Sequence, residues 1–107
     1  KTAMEANIAK IKSAPVVALF AYDMKFYEKM DKLYPTGKFL QDLFAKSSED
    51  ALDREALRNS TIQASYFLMI ARGMGLDCGP MSGFDPIALN ELFFKNTNYR
   101  INFIKRY

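Results

Sequence analysis

The chain contains no histidine, no tryptophan and a single cysteine among its 107 residues. Without histidine, the usual general base near neutral pH and the usual zinc ligand are both missing. Any chemistry here therefore falls to a carboxylate or to a bound cofactor. One cysteine excludes an internal disulfide and fits a reducing compartment. Long apolar runs are lacking too. The stretch Pro15 to Tyr22 is far short of the roughly 20 residues that a membrane-spanning helix needs. No pairing of a charged segment with an apolar one marks a signal peptide, so a cytoplasmic protein is expected. The chain opens on Lys1 and not on Met, which suggests a piece of something longer.

What is present is a globular composition. Half of the residues are hydrophobic and 25% are charged, enough for one domain with an ordinary core. The net charge of +3 is unevenly spread. Residues 1–46 carry eight Lys against five acids (+3), residues 47–94 three Arg against seven acids (−4), and residues 95–107 four bases and no acid (+4). Basic ends invite a nucleic-acid reading. The lysines, however, stand singly among acids as on a solvated helix face. No stripe tracks a phosphate backbone, and no nucleic-acid partner is expected.

Local patterns give the order α-β-α-α-α-α-β. Ala3, Ala6 or Asn7, Ile8 and Ile11 share a helical spacing over residues 2–13, and Ser13-Ala14-Pro15 ends that helix, because the residue before proline is pushed out of the α region. Pro15 to Tyr22 reads as a strand buried on both faces, with layers above and below it. Asp23 is placed to cap a short helix through Leu33. A turn at Tyr34-Pro35-Thr36-Gly37 and a helix from Phe39 to Ala45 follow. The longest helix starts at Ser47 or Ser48, where Ser47 and Asp50 resemble a capping box, and runs to Met74. From Ile62 to Met74 it is apolar nearly all round, so burial on every side is expected, as in a helix shared between subunits. Met69, Met74 and Met81 read as core filling. The acids Asp50, Asp53 and Glu55, with Arg54 and Arg58, read as an exposed charged helix start.

Gly75 suits a left-handed C′ position with Leu76 as the apolar residue after it. Asp85 and Pro86 then start another helix as N-cap and N1, and Phe84 with Leu89 suits a hydrophobic staple. Tyr99 to Ile104 alternates as a strand, with Lys105-Arg106-Tyr107 following it. Three glycines and a proline between Gly75 and Phe84 suggest a backbone held close to something flat or bulky. Cys78 beside it reads as a small packed residue.

Two stretches carry a resemblance. Arg58-Asn59-Ser60-Thr61-Ile62-Gln63-Ala64-Ser65-Tyr66-Phe67 is one. The other is Ala71-Arg72-Gly73-Met74-Gly75-Leu76-Asp77-Cys78-Gly79-Pro80-Met81-Ser82-Gly83-Phe84-Asp85. They resemble the nitroreductase family, and in particular its malonic semialdehyde reductase (3-hydroxypropanoate dehydrogenase) branch, as do Ala14-Pro15-Val16-Val17 and Tyr22-Asp23-Met24-Lys25-Phe26-Tyr27. The resemblance covers most of residues 6–94. It implies an α+β, three-layer α/β/α fold and a homodimer through the helix containing Ile62–Met74. It also implies FMN as cofactor with NAD(P)H as co-substrate. Pro80, Met81, Ser82 and Gly83 match the flavin-contacting loop of that family, with the amide of Ser82 towards flavin N5 and O4, and with Gly79 and Gly83 allowing close approach. Preorganised N–H groups of this kind suit the negative charge of a reduced ring. Arg58, Asn59 and Gln63 match the family helix as dimer contacts or pocket lining.

The implied activity is reduction of a small aldehyde such as malonic semialdehyde, or of nitro or quinone compounds, with no side-chain nucleophile and no metal. Family members begin with an arginine-rich segment that grips the FMN phosphate, and end with a Gly-Tyr-Gly-type segment and a long tail. Neither is found here, and Ile104-Lys105 reads like a truncation or splice. The whole chain is expected to be a single partial domain, with Lys105 and Arg106 reaching a phosphate only by folding back. The competing expectation is a helical dimerisation module without cofactor.

Overall fold

The computed structural model describes residues 3–33 and 35–106. Three antiparallel strands, β1 (Val17–Asp23), β2 (Gly79–Met81) and β3 (Tyr99–Arg106), form a sheet in the order β1-β3-β2. Five helices surround it: α1 (Glu5–Ser13), α2 (Met30–Leu33), α3 (Gly37–Ala45), α4 (Glu49–Gly73) and α5 (Pro86–Phe93). A 3-10 turn at Phe26–Lys29 leads into α2. The molecule has a radius of gyration of 15.9 Å, against about 13 Å for a compact chain of this length. Its 46 Å long axis accommodates α4, whose 25 residues span roughly 37 Å at 1.5 Å per residue.

The sheet has a helix layer on each face. On one face Met81, Leu89, Ile101 and Ile104 form the buried cluster, with Ile11 of α1, Val17, Leu19, Phe84 and Phe94 packed against it. On the other face α4 lies against β1 and β3. There Phe20 stacks on Phe103 (4.8 Å between ring centroids) and meets the edge of Phe67 (5.5 Å). Ile101 and Ile104 are three positions apart, so strict alternation would send them to opposite faces. A bulge resolves this. Phe20 pairs with Phe103 and Ala21 with Ile101, leaving Asn102 as the extra residue that resets the alternation. Asn102 then donates to Ser60 Oγ (3.3 Å) and Thr61 Oγ1 (2.9 Å) of α4.

Punctuation read from sequence holds where it is local. Ala14 ends α1 in an extended conformation. Asp85 Oδ1 accepts from Ile87 N and Ala88 N with Pro86 at the start of α5, a cap worth about 1 kcal/mol. Gly75 takes φ +92°, Leu76 N donates to Ala71 O and Gly75 N to Arg72 O. This is the Schellman ending that a glycine at C′ permits.

Other expectations need correction. The N-cap of α4 is Ser48, whose side chain accepts from Ala51 N; Ser47 instead donates to Leu43 O, so the Ser47–Asp50 capping box does not form. Asp23 closes β1, and its carboxylate accepts from Lys25 N at 2.8 Å, capping a turn and not a helix. Residues 79–81, read as loop, are strand β2. Lys105 and Arg106 continue β3, because β1 and β2 both pair with them. Strand β1 is half-buried along its length and not buried on both faces. Pro35 and Thr36 do form a turn, and α3 begins at Gly37; the expected turn's first residue, Tyr34, lies outside the described residues, as do Thr2 and Tyr107.

Within this single chain, α4 is covered on one side. Its buried residues are Ala56, Ala64 and Ala71, a narrow stripe of small side chains that seats the helix on the sheet. Ile62, Tyr66, Phe67, Met69, Ile70 and Met74 are exposed, Met69 at 74% and Met74 at 77%. Of the three methionines read as core filling, only Met81 is buried. Residues 62–74 are apolar nearly all round, yet this chain covers only one side of them. No helix among the described residues is long and apolar enough to cross a membrane.

Candidate functional site

The segment after α4 is built by three local devices: the Schellman turn at Gly75, strand β2, and the Asp85 cap of α5. Together they hold residues 79–84 across the end of the sheet. Strand β2 is an edge strand, pairing on one side with β3 through Gly79↔Arg106, Pro80↔Lys105 and Met81↔Ile104. A proline is tolerated at an edge because its missing N–H costs no ladder bond there.

The four residues expected at the site take different positions. Pro80 and Ser82 are exposed, whereas Met81 is buried in the core cluster and Gly83 is half-buried. Gly83 O accepts from Met4 N (2.9 Å) and Asn7 Nδ2 (3.1 Å). A Cβ on Gly83 would meet Asn7 Nδ2 at 2.7 Å and Met4 Sδ at 2.8 Å. A Cβ on Gly79 would meet Arg106 Nε at 2.6 Å. The bulky neighbours that demand glycine at these two positions are thus side chains of this chain. Pro80 and Ser82 alone present their surfaces outward.

Behind the sheet lies a polar cluster that joins three elements. Tyr22 of β1 donates to Asp53 Oδ1 of α4 at 2.7 Å. Arg100 of β3 donates to the same oxygen at 3.0 Å and to Glu49 Oε1 at 2.6 Å. Burial, and then the hydrogen bond to Asp53, push the Tyr22 hydroxyl up to about 12. The hydrogen bond to Glu49 raises Arg100 further above its ordinary range. Asp53 was expected on an exposed charged helix start; it is half-buried, and its partners lie 31 and 47 positions away. The surface part of that start holds as expected, with Arg58 paired to Glu55 at 3.6 Å.

Two clefts open on the surface. One, of about 340 Å³, lies beside the polar cluster and is lined by Tyr22, Phe26, Asn59, Ser60, Gln63 and Tyr99 among others. Asn59 and Gln63 line this cleft, and Arg58 does not. The other, of about 440 Å³, lies at the C-terminal end of α4 and includes Arg72, Asp77, Cys78, Gly79 and Arg106. Lys105 is fully buried, with its ammonium 5.1 Å from the centre of the Phe67 ring. Its place in the middle strand keeps it from folding back towards a phosphate. Cys78 is a free thiol, half-buried, that donates to Leu76 O at 3.5 Å. No group of three or more His, Cys, Asp or Glu that could hold a metal occurs among the described residues.

Known proteins resemble this chain at two levels. In sequence it is 43% identical over 92% of its length to HadB of Ralstonia pickettii, named as an NADH dehydrogenase/NAD(P)H nitroreductase. It is 44% identical over 92% of its length to a protein of the same name from Caulobacter. The chain spans 51% and 49% of these relatives, about half of their length. In structure it matches a nitroreductase family protein of Streptococcus pneumoniae with a TM-score of 0.84 over 98% of this chain and 60% of that one, at 19% identity. It also matches a protein of Staphylococcus epidermidis described as an NAD(P)H:FMN oxidoreductase, with a TM-score of 0.81 over 97% of this chain and 56% of that one, at 16% identity. No protein-family profile matches the chain. The fold is the one seen in these nitroreductase structures, and the sequence is similar to proteins named NAD(P)H nitroreductases over about half of their length.

Proposed function

We propose that the protein is an FMN-dependent NAD(P)H oxidoreductase that acts as a homodimer in the cytoplasm on a small molecule. The substrate in this reading is a small aldehyde such as malonic semialdehyde, or a nitro or quinone compound. The observation that carries it is the similarity to proteins named NAD(P)H nitroreductases, which runs through the Gly75–Asp85 segment on a fold that matches part of a nitroreductase structure.

The residues present fit a flavin at the edge of the sheet in a restricted sense. Pro80 and Ser82 are exposed there and can meet a planar ring. Met81 anchors the strand from below through the core, and Gly83 is fixed by Met4 and Asn7. The ring would thus be met by backbone and by two side chains, on a support that packing keeps rigid. When bound, flavin would supply the hydride acceptor and donor, so no side-chain nucleophile is required. The chain's own part is positioning: β2 and the capped start of α5 frame Ser82, whose amide would supply the preorganised donor that stabilises developing negative charge.

The uncovered side of α4 supports the homodimer. Ile62, Tyr66, Phe67, Met69, Ile70 and Met74 expose an apolar surface of a kind that soluble proteins bury in an interface. The same surface would also serve a dimerisation module without cofactor, so flavin binding separates the two readings. Purified protein titrated with FMN is expected to quench the flavin's fluorescence and shift its visible absorption. A dimer in sedimentation with no effect on flavin would leave the cofactor-free module standing.

A further inference from the structure

The cleft at the C-terminal end of α4 has a chemistry of its own. Gly79 and Arg106 line it, whereas Pro80, Met81, Ser82 and Gly83 do not. Two arginines, Arg72 from the last turn of α4 and Arg106 from the end of β3, border it together with Asp77. Among the described residues neither guanidinium has an ion pair or a hydrogen bond. By contrast, Arg100 is committed to two carboxylates and Arg58 to one.

Packing fixes the position of Arg106. Its Cγ and Nε occupy the space that a Cβ at residue 79 would take, at 2.8 and 2.6 Å. Gly79 therefore lets the arginine stem lie flat on β2. The negative end of α4 is blunted as well, since Met74, Gly75 and Leu76 donate their N–H groups to its last carbonyls.

We infer that this cleft is a binding site for an oxyanion that carries a proton, of the hydrogen-phosphate class. Guanidinium forks match such oxygens in geometry and charge. An ionised Asp77 can only accept hydrogen bonds. It therefore repels an anion without a proton and accepts from one that has it, a discrimination by built-in repulsion. Sulfate is disfavoured and hydrogen phosphate, free or as a monoester, is favoured.

The test is NMR on the isotope-labelled chain at about pH 5.5, where a phosphate monoester still carries a proton and sulfate does not, titrated separately with inorganic phosphate, phenyl phosphate and sulfate. The Gly79 amide and the Arg72 and Arg106 Nε resonances are expected to shift and saturate with phosphate but not with sulfate. The tighter of the two phosphates identifies the free ion or the monoester as the source. Arg72→Gln and Arg106→Gln should each weaken phosphate about tenfold or more, equivalent to about 1.4 kcal/mol. Gly79→Ala should do the same by displacing Arg106, with the remaining spectrum showing an unchanged fold. Asp77→Asn should let sulfate bind as well as phosphate. No saturable shift, an equal response to sulfate in the unaltered chain, or an unchanged response in both arginine variants would overturn the inference. Inorganic phosphate contains no flavin, so its binding stands or falls independently of FMN binding.

Discussion

Tyr22 and Arg100 share one oxygen. Both donate to Oδ1 of Asp53, at 2.7 and 3.0 Å, and so fasten β1 and β3 to the first turns of α4. The hydroxyl of Tyr22, ordinarily near 10.0, is raised to about 12, first by burial and then by the hydrogen bond to Asp53. A raised folded-state value means that the proton is held more tightly in the folded chain. The contribution is complete below pH 10 and is lost as pH rises towards 12. Ultraviolet titration of the unaltered chain minus Tyr22→Phe should show a phenol titrating near pH 12. Stability should fall more steeply above pH 10 than in the variant. A difference spectrum with its midpoint near 10 would contradict the assignment.

Removing the shared acceptor leaves both donors without it. Asp53→Ala is expected to lower unfolding free energy by about 1–2 kcal/mol, as for loss of charged hydrogen bonds that water partly replaces. Asp50→Ala, on an exposed position of the same helix, should stay within about 0.5 kcal/mol. Urea denaturation of the two variants makes the comparison, and equal effects would remove the cluster's assigned role.

The glycines separate by what stands opposite them. A Cβ on Gly37 would lie 1.7 Å from the backbone oxygen of Met30, whereas one on Gly73 would meet nothing within 4 Å. Gly37→Ala should destabilise the α2–α3 pair by about 2 kcal/mol or more, because backbone cannot yield as a side chain can. Gly73→Ala should stabilise α4 by about 0.5–1 kcal/mol. Gly75→Ala, at φ +92°, should cost about 1 kcal/mol. Thermal unfolding in that rank order is the expected result.

The exposed face of α4 gives a prediction about assembly. Ile70→Lys puts a charge on a residue that is 64% exposed in the single chain. If the homodimer forms through this face, the substitution should convert dimer to monomer in sedimentation while the monomer keeps its helical circular dichroism. An unchanged dimer would move the interface elsewhere.

Features set by neighbouring residues were readable in the sequence. The Asp85 cap, the Gly75 ending and the stop at Pro15 each depend on chemistry within a few positions. What depends on distant partners was not. Strand β2 is three residues containing a glycine and a proline, and only pairing with β3 makes it a strand. The bulge at Asn102 defeats an alternation argument, and Asp53 shows its role only once Tyr22 and Arg100 are beside it. The apolar pattern of Ile62–Met74 indicated surface that wants cover, which is a different matter from cover that this chain supplies. The same limit applied to the site. The spacing of Gly79 and Gly83 signalled close approach, but the approaching groups in this structure are Arg106, Met4 and Asn7.

The most direct measurement is a titration of FMN with the purified protein, followed by flavin fluorescence and visible absorption, with Ser82→Pro as control. Saturable quenching that Ser82→Pro weakens, while circular dichroism stays the same, is the result predicted for a flavin seated on the edge formed by Pro80 and Ser82. Flavin fluorescence that stays unchanged at saturating protein would contradict the oxidoreductase reading.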